Sequence, residues 1–263
     1  MIIDFHTHMF PDKIAARTID FLSKTGGDMN PFTDGTWKGL KESTKQAGID
    51  HSIVLPIATR PGQFHTINEF ATHFQEGTLI SFGSLHPESE NYKEELRQIQ
   101  DMGMKGIKLH PDYQDTYFND IRYKRIISYA TELGLIISVH AGQDPKCPDN
   151  IHCTPAMAEE VLNEVEPEKL VLAHMGGNEL WSEVEERLVG RNVYFDTGVI
   201  LDRMPQEQFL RMVHEHGADR IVFGTDSPWA DQKKFVEILN EMPLEEEERN
   251  QIFAGTAVKL LGL

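Results

Sequence analysis

Met1-Ile2-Ile3-Asp4-Phe5-His6-Thr7-His8 opens the chain. Ile2, Ile3 and Phe5 favour a strand, and alternate residues of a strand share a face, so His6 and His8 leave it on the same side. Two imidazoles placed in this way can hold one metal ion, or they can be ordinary polar residues at a strand end. The remaining strands decide between the two.

Residues 11–24 read as a helix with Pro11 near its start, residues 25–35 as a loop bearing Gly, Asn and Pro, and residues 36–47 as a second helix. Residues 51–58 form the next apolar run, with helical spacing resuming over 66–75. The unit then recurs, with strands at 79–85, 106–110, 135–140, 170–174, 193–197 and 221–226. Helices follow these strands at 91–102, 118–133, 155–165, 179–189, 206–216 and 232–241. Pro243 ends the last helix, and an acidic segment over 244–261 closes the chain. Eight apolar strands alternating with amphipathic helices predict an α/β fold, a single (β/α)8 TIM barrel that makes residues 1–263 one domain. An open doubly wound sheet is the alternative. It would carry a glycine-rich phosphate turn where this chain has His8-Met9-Phe10-Pro11.

The length of 263 residues fits one such barrel, which needs about 250, and 40% hydrophobic with 25% charged residues is ordinary for a chain with a large core. A formal net charge of -17 would repel a phosphate backbone or an anionic membrane, so neither nucleic acid nor membrane is an expected partner. No apolar run approaches membrane-spanning length, and the N-terminus opens into a strand without a basic leader, so a cytoplasmic location is expected. Cys147 and Cys153 lie close together in a loop and read as plain loop residues, since with His152 they fall short of a four-ligand zinc set.

Polar residues sit at the exits of the strands: His6 and His8, Arg60, His86, Lys108 with His110, His140, His174, Asp196 and Asp226. In a closed barrel these ends meet at one mouth, where barrel enzymes place their chemistry. Singly, each histidine is more often a satisfied core group. Taken together, the set is explained by a divalent metal held by His6, His8, His140 and Asp226. Zn²⁺ suits these ligands first, and Mn²⁺, Fe²⁺ or Co²⁺ also fit. Such a metal activates water at neutral pH, with Asp226 as the base and His174 polarising a carbonyl or stabilising an oxyanion.

The motifs Asp4-Phe5-His6-Thr7-His8, Gly106-Ile-Lys-Leu-His-Pro111, Ser138-Val-His-Ala-Gly142, Leu172-Ala-His-Met-Gly-Gly177 and Phe223-Gly-Thr-Asp-Ser-Pro-Trp229 resemble those of the amidohydrolase superfamily of metal-dependent barrels. Within it, the chain is most similar to the amidohydrolase-2 group, which includes aminocarboxymuconate semialdehyde decarboxylase, resorcylate decarboxylases and small lactonases. The closing Phe253-Ala-Gly-Thr-Ala-Val-Lys-Leu-Leu-Gly262 resembles the group's C-terminal signature, with Thr256 in place of Asn. The resemblance implies that His6, His8, His140 and Asp226 are metal ligands and that His174 is a catalytic group or a ligand to a second metal. Lys108 stands where dihydroorotase-like members carry a carboxylated lysine bridging two metals; an ammonium paired with Asp226 or with a substrate carboxylate is the preferred reading, so one metal is expected. A homodimer is the group's habit.

Three functions follow. Hydrolysis of a small-molecule amide, lactone or ester ranks first, because the chain is more compact than the decarboxylases it resembles. Non-oxidative decarboxylation of a small unsaturated or aromatic acid ranks second, and a barrel that binds metal without turnover ranks last. Arg60 could grip a substrate carboxylate or be a surface residue. His86 and His110 could line the mouth or cap strands, Trp229 could wall the pocket, and His152 reads as an exposed residue of a lid-like loop. His65, His73, His214 and His216 are given no role.

Overall fold

A computed structural model describes residues 1–27 and 29–263; Asp28, within the loop expected at 25–35, lies outside the described residues. The elements run β1 (Ile3–Thr7), α1 (Ala15–Thr25), α2 (Trp37–Gln46), β2 (His51–Val54), α3 (Phe64–Ala71), β3 (Leu79–Ser81), β4 (Gly83–Ser84), α4 (Tyr92–Asp101) and β5 (Gly106–Leu109). They continue as α5 (Ile121–Glu132), β6 (Ile136–Val139), α6 (Pro155–Val165), β7 (Leu170–Leu172), α7 (Trp181–Arg187) and β8 (Tyr194–Asp196). The last are α8 (Gln206–His216), β9 (Ile221–Val222), α9 (Gln232–Glu241), α10 (Glu246–Asn250) and α11 (Thr256–Leu261).

Local chemistry sets several helix starts. The side chains of Thr36, Asp120, Thr154 and Asp231 accept backbone N–H groups of α2, α5, α6 and α9, and Pro155 takes the first helical position of α6, where no donor is needed. No helix among the described residues is long and apolar enough to cross a membrane.

The chain divides into two compact units, the first being Met1–Val54, Glu76–Ile80 and Asp196–Leu263, and the second Leu55–Gln75 and Ser81–Phe195. In the first unit β1 is buried at every position and runs parallel to β2, pairing Ile3 with His51 and Asp4 with Ser52. On its other side Phe5 N–H donates to Phe223 O, His8 N–H to Ser227 O, and Asp226 N–H to His6 O. Ile3, Phe5, Leu40, Ile53, Phe209, Phe223 and Phe235 are buried here. One polar network crosses this apolar packing. The fully buried Asp4 carboxylate accepts Thr225 N–H at 2.9 Å, Thr225 Oγ1–H at 2.6 Å and Gln232 Nε2–H at 2.7 Å. Gln232 also reaches Ser52 Oγ, which pairs with Thr44 Oγ1 of α2.

In the second unit β4 to β8 are parallel, with Ser84 beside Lys108, Lys108 beside Ser138, Val139 beside Leu172, and Leu172 beside Phe195. Paired residues of a parallel sheet share a face, so Ser84, Lys108 and Ser138 form one buried polar row among apolar neighbours.

Several strands are shorter than expected, and the closing acidic segment is helical. The strand expected at 79–85 breaks at Phe82 into β3 and β4. That expected at 221–226 stops after Val222, because Gly224 N–H turns to Thr197 Oγ1 and Thr225 N–H to Asp4 Oδ1. The closing segment is α10, a π-helical turn at Gln251–Gly255, and α11, with Arg249 donating to the carbonyls of Leu239, Met242 and Leu244.

Candidate functional site

Three of the expected ligands meet in the first unit. His6 Nε2 and His8 Nε2 lie 3.2 Å apart, and Asp226 Oδ1 lies 3.0 Å from His8 Nε2 and 3.5 Å from His6 Nε2. Ligands about 2.0–2.1 Å from a tetrahedral metal stand roughly 3.3 Å from one another, so these three atoms have the spacing of a coordination shell. The two rings are 73° apart, which lets their in-plane lone pairs converge.

Asp196 explains the orientation of His6. Its Oδ2 accepts His6 Nδ1–H at 2.9 Å while Oδ1 accepts Gly198 N–H, and a carboxylate only accepts, so neutral His6 keeps its lone pair on Nε2. Backbone geometry does the same for Asp226, which sits at φ +64° with its N–H on His6 O and its carbonyl accepting Trp229 N–H. Gly224 permits the approach of these segments: a Cβ there would come within 2.9 Å of His6 Cβ.

The second unit holds the other polar exits. His140 Nδ1 lies 3.0 Å from His174 Nε2, both side chains being buried. Lys108 is fully buried on β5, and the neighbouring Ser84 Oγ donates to Lys108 O. His110, His140 and Asp144 also offer ligand atoms within 4.8 Å of one another. The rings of His110 and His140, however, stack 4.1 Å apart and 6° from parallel, so their lone pairs run side by side and do not converge on one ion. Tyr113 extends the stack at 3.9 Å, and Lys146 Nζ caps it 4.8 Å above the Tyr113 ring. This arrangement fixes the plane of the His140 imidazole.

Asp112 and Asp144 face the outer nitrogen of that imidazole, at 3.8 and 3.9 Å. Burial pushes the Asp112 carboxyl up, and the hydrogen bonds from His152 Nδ1–H and His152 N–H, at 3.0 and 3.2 Å, oppose that shift. His152 is therefore buried and structural, where an exposed residue is expected from sequence. The feature that reverses the expectation is Asp112, forty positions away.

Arg60 is exposed at the start of a short helix over Pro61–Gln63. His86 is buried with Nδ1 accepting Glu88 N–H, and burial lowers its pKa; this is the strand-cap reading. Cys147 and Cys153 are free thiols, and among the described residues neither joins a metal-type cluster.

Gln114 is a functional support that sequence does not single out. Its Nε2–H₂ donates to Ala58 O at 2.7 Å and Leu85 O at 2.9 Å, while Oε1 accepts His110 N–H and Tyr123 O–H. One amide thus ties the exits of β4 and β5 to Ala58 within the second unit. Gln114→Leu is expected to cost about 2 kcal/mol, because buried polar groups lose their partners. A urea midpoint equal to that of wild type would contradict this.

A family model described as Amidohydrolase matches residues 3–263. A comparison with curated proteins finds no match. Among solved structures, an uncharacterised TIM-barrel protein from Bordetella bronchiseptica is 19% identical with a TM-score of 0.76, covering 99% of this chain and 98% of that one. A 2,6-dihydroxybenzoate decarboxylase complexed with 2,6-dihydroxybenzoate is 16% identical with a TM-score of 0.76, covering 100% and 99%. A dihydroxybenzoic acid decarboxylase from a Polaromonas species, with bound manganese and 2-nitroresorcinol, is 15% identical with a TM-score of 0.74, covering 100% and 97%. These likenesses show the fold, an α/β TIM barrel.

Proposed function

This chain belongs to the amidohydrolase family, and from that membership we propose that it is a metal-dependent, non-oxidative decarboxylase of a small hydroxylated aromatic acid. Sequence alone ranks hydrolysis first. The order reverses here because two of the similar structures are decarboxylases of this substrate class, a comparison that compactness of the chain does not outweigh. The span of the family model also supports one domain over 1–263.

The observation that carries the proposal is the triangle of His6, His8 and Asp226 with Asp196 behind His6. His6, His8 and Asp226 would hold the metal, and His140 completes the set by its motif Ser138-Val-His-Ala-Gly142. Manganese, the ion in the Polaromonas structure, fits these ligands as well as zinc does. When bound, the metal supplies the positive charge that gathers a carboxylate and an adjacent phenolate. Asp226 would take the proton that the substrate hydroxyl loses on becoming a phenolate and deliver it to the ring carbon that bears the carboxylate. The bond to the carboxylate then breaks, its electron pair returns to the ring, and carbon dioxide leaves. His174 stabilises the charge that builds on the substrate, and the buried Lys108 ammonium pairs with substrate carboxylate.

Metal-dependent hydrolysis of a lactone, amide or ester is the second reading, favoured by the description of the family model. The test is incubation of metal-reconstituted protein with 2,6-dihydroxybenzoate and its isomers in D₂O. Carbon dioxide release with one deuteron on the ring is expected. Turnover of a lactone or amide panel, with every hydroxybenzoate untouched, would sink the decarboxylase assignment.

A further inference from the structure

We infer that Trp181 is a positioning residue for His174, its indole N–H locking the left-handed turn from which the His174 imidazole is presented. This rests on the proposed role of His174.

Past β7 the backbone enters an unusual conformation. His174, Met175 and Gly176 have φ of +61°, +53° and +84°, and only the last is glycine. For residues with a Cβ, the left-handed region costs about 1–2 kcal/mol each, so the surrounding structure must hold it. Gly176 N–H closes the turn on Ala173 O at 3.1 Å, and Gly177 N–H reaches His174 O at a long 3.3 Å. The turn packs on α7: a Cβ on Gly176 would meet Val184 at 2.9 Å and Phe195 at 2.7 Å.

Trp181, the first residue of α7 and 8% exposed, donates its Nε1–H to His174 O at 3.1 Å. An indole has this one donor. The choice of acceptor matters, because flipping the peptide between residues 174 and 175 would relieve the positive φ of Met175 and undo the turn. Such a flip changes ψ of His174 and φ of Met175 and swings the His174 carbonyl away. The Trp181 hydrogen bond opposes that rotation. It thereby holds the turn that carries His174, whose Nε2 lies 3.0 Å from His140 Nδ1.

The test uses the metal-loaded enzyme and two substitutions. Trp181→Phe keeps an aromatic ring and removes the donor, whereas Trp181→His returns a ring N–H at the same distance from the backbone. Expected for Trp181→Phe are a kcat lower by about ten- to a hundredfold with KM within twofold, and shifted or broadened ¹⁵N signals of the His174 ring, assigned with His174→Asn. Trp181→His should recover most of the kcat and the wild-type signals. Unchanged His174 signals in Trp181→Phe overturn the inference whatever the reaction is. If Trp181→Phe does not fold, Trp181→His carries the test, and a folded Trp181→His enzyme with displaced His174 signals overturns the inference. Shifted signals in an enzyme that decarboxylates nothing leave the inference standing and refute the proposed reaction.

Discussion

Replacing His6 with alanine is expected to remove bound metal and turnover together. His6 supplies the most buried corner of the ligand triangle, and its loss leaves His8 and Asp226 as the remaining pair of the first unit. With His140 the proposed set falls from four ligands to three, and the one imidazole whose orientation Asp196 fixes is lost, so the ion is no longer retained through purification. Elemental analysis of protein purified without added metal or chelator is the measurement, with about one equivalent expected for wild type and none for His6→Ala. Asp196→Asn should act more gently, weakening metal affinity about 10–100-fold through loss of ring orientation. Stoichiometric metal in His6→Ala would falsify the ligand set. Two equivalents in wild type would assign a second site to Lys108 and His174.

The second large effect is on folding. Asp4→Ala strips the acceptor from Thr225 N–H, Thr225 Oγ1–H and Gln232 Nε2–H, all inside the first unit. These three and His6 N–H, buried donors at 1–3 kcal/mol apiece and partly relieved by relaxation, give a loss of about 4 kcal/mol. Burial pushes the Asp4 carboxyl up to about 7, against hydrogen bonds from Thr225, Gln232 and His6 that pull it down. The sign of the pH dependence follows. Between the ordinary carboxyl pKa near 4 and about 7 the folded chain keeps this proton and the unfolded chain has lost it, so unfolding releases a proton. The stabilisation is complete below about 4 and is lost as pH rises through about 7. Asp4→Asn has no such proton, and urea midpoints at pH 5 and 8 should therefore fall more in wild type than in Asp4→Asn. Parallel changes in the two proteins would contradict the burial account.

Much of this was legible in the sequence because it rests on short-range rules. Strand and helix alternate with the periodicities expected of them, and α6, α8 and α9 occupy the residues read for them. The pairing of His6 with His8 follows from two-residue strand geometry. Asp196 was visible as a polar strand exit, yet its grip on His6 Nδ1 spans 190 positions and no local pattern encodes it. Gln114, Asp112 and Trp181 were missed for the same reason: each lies in a loop or at a helix start, and each acts on a partner defined only by the fold. β9 fell short of its expected length because side chains of Thr197 and Asp4 compete for the backbone donors that would extend it.

Gly224 carries a consequence for how the sequence can drift. It lies in the segment that follows β9 and presses on the Cβ of His6, so the space for any side chain there is already taken by the ligand. The constraint at 224 therefore lies in the close passage of the backbone at position 6, whatever side chain stands there. A lineage can exchange the histidine without freeing 224, because every residue but glycine carries the same Cβ, which makes this glycine a marker of how closely the two segments pass.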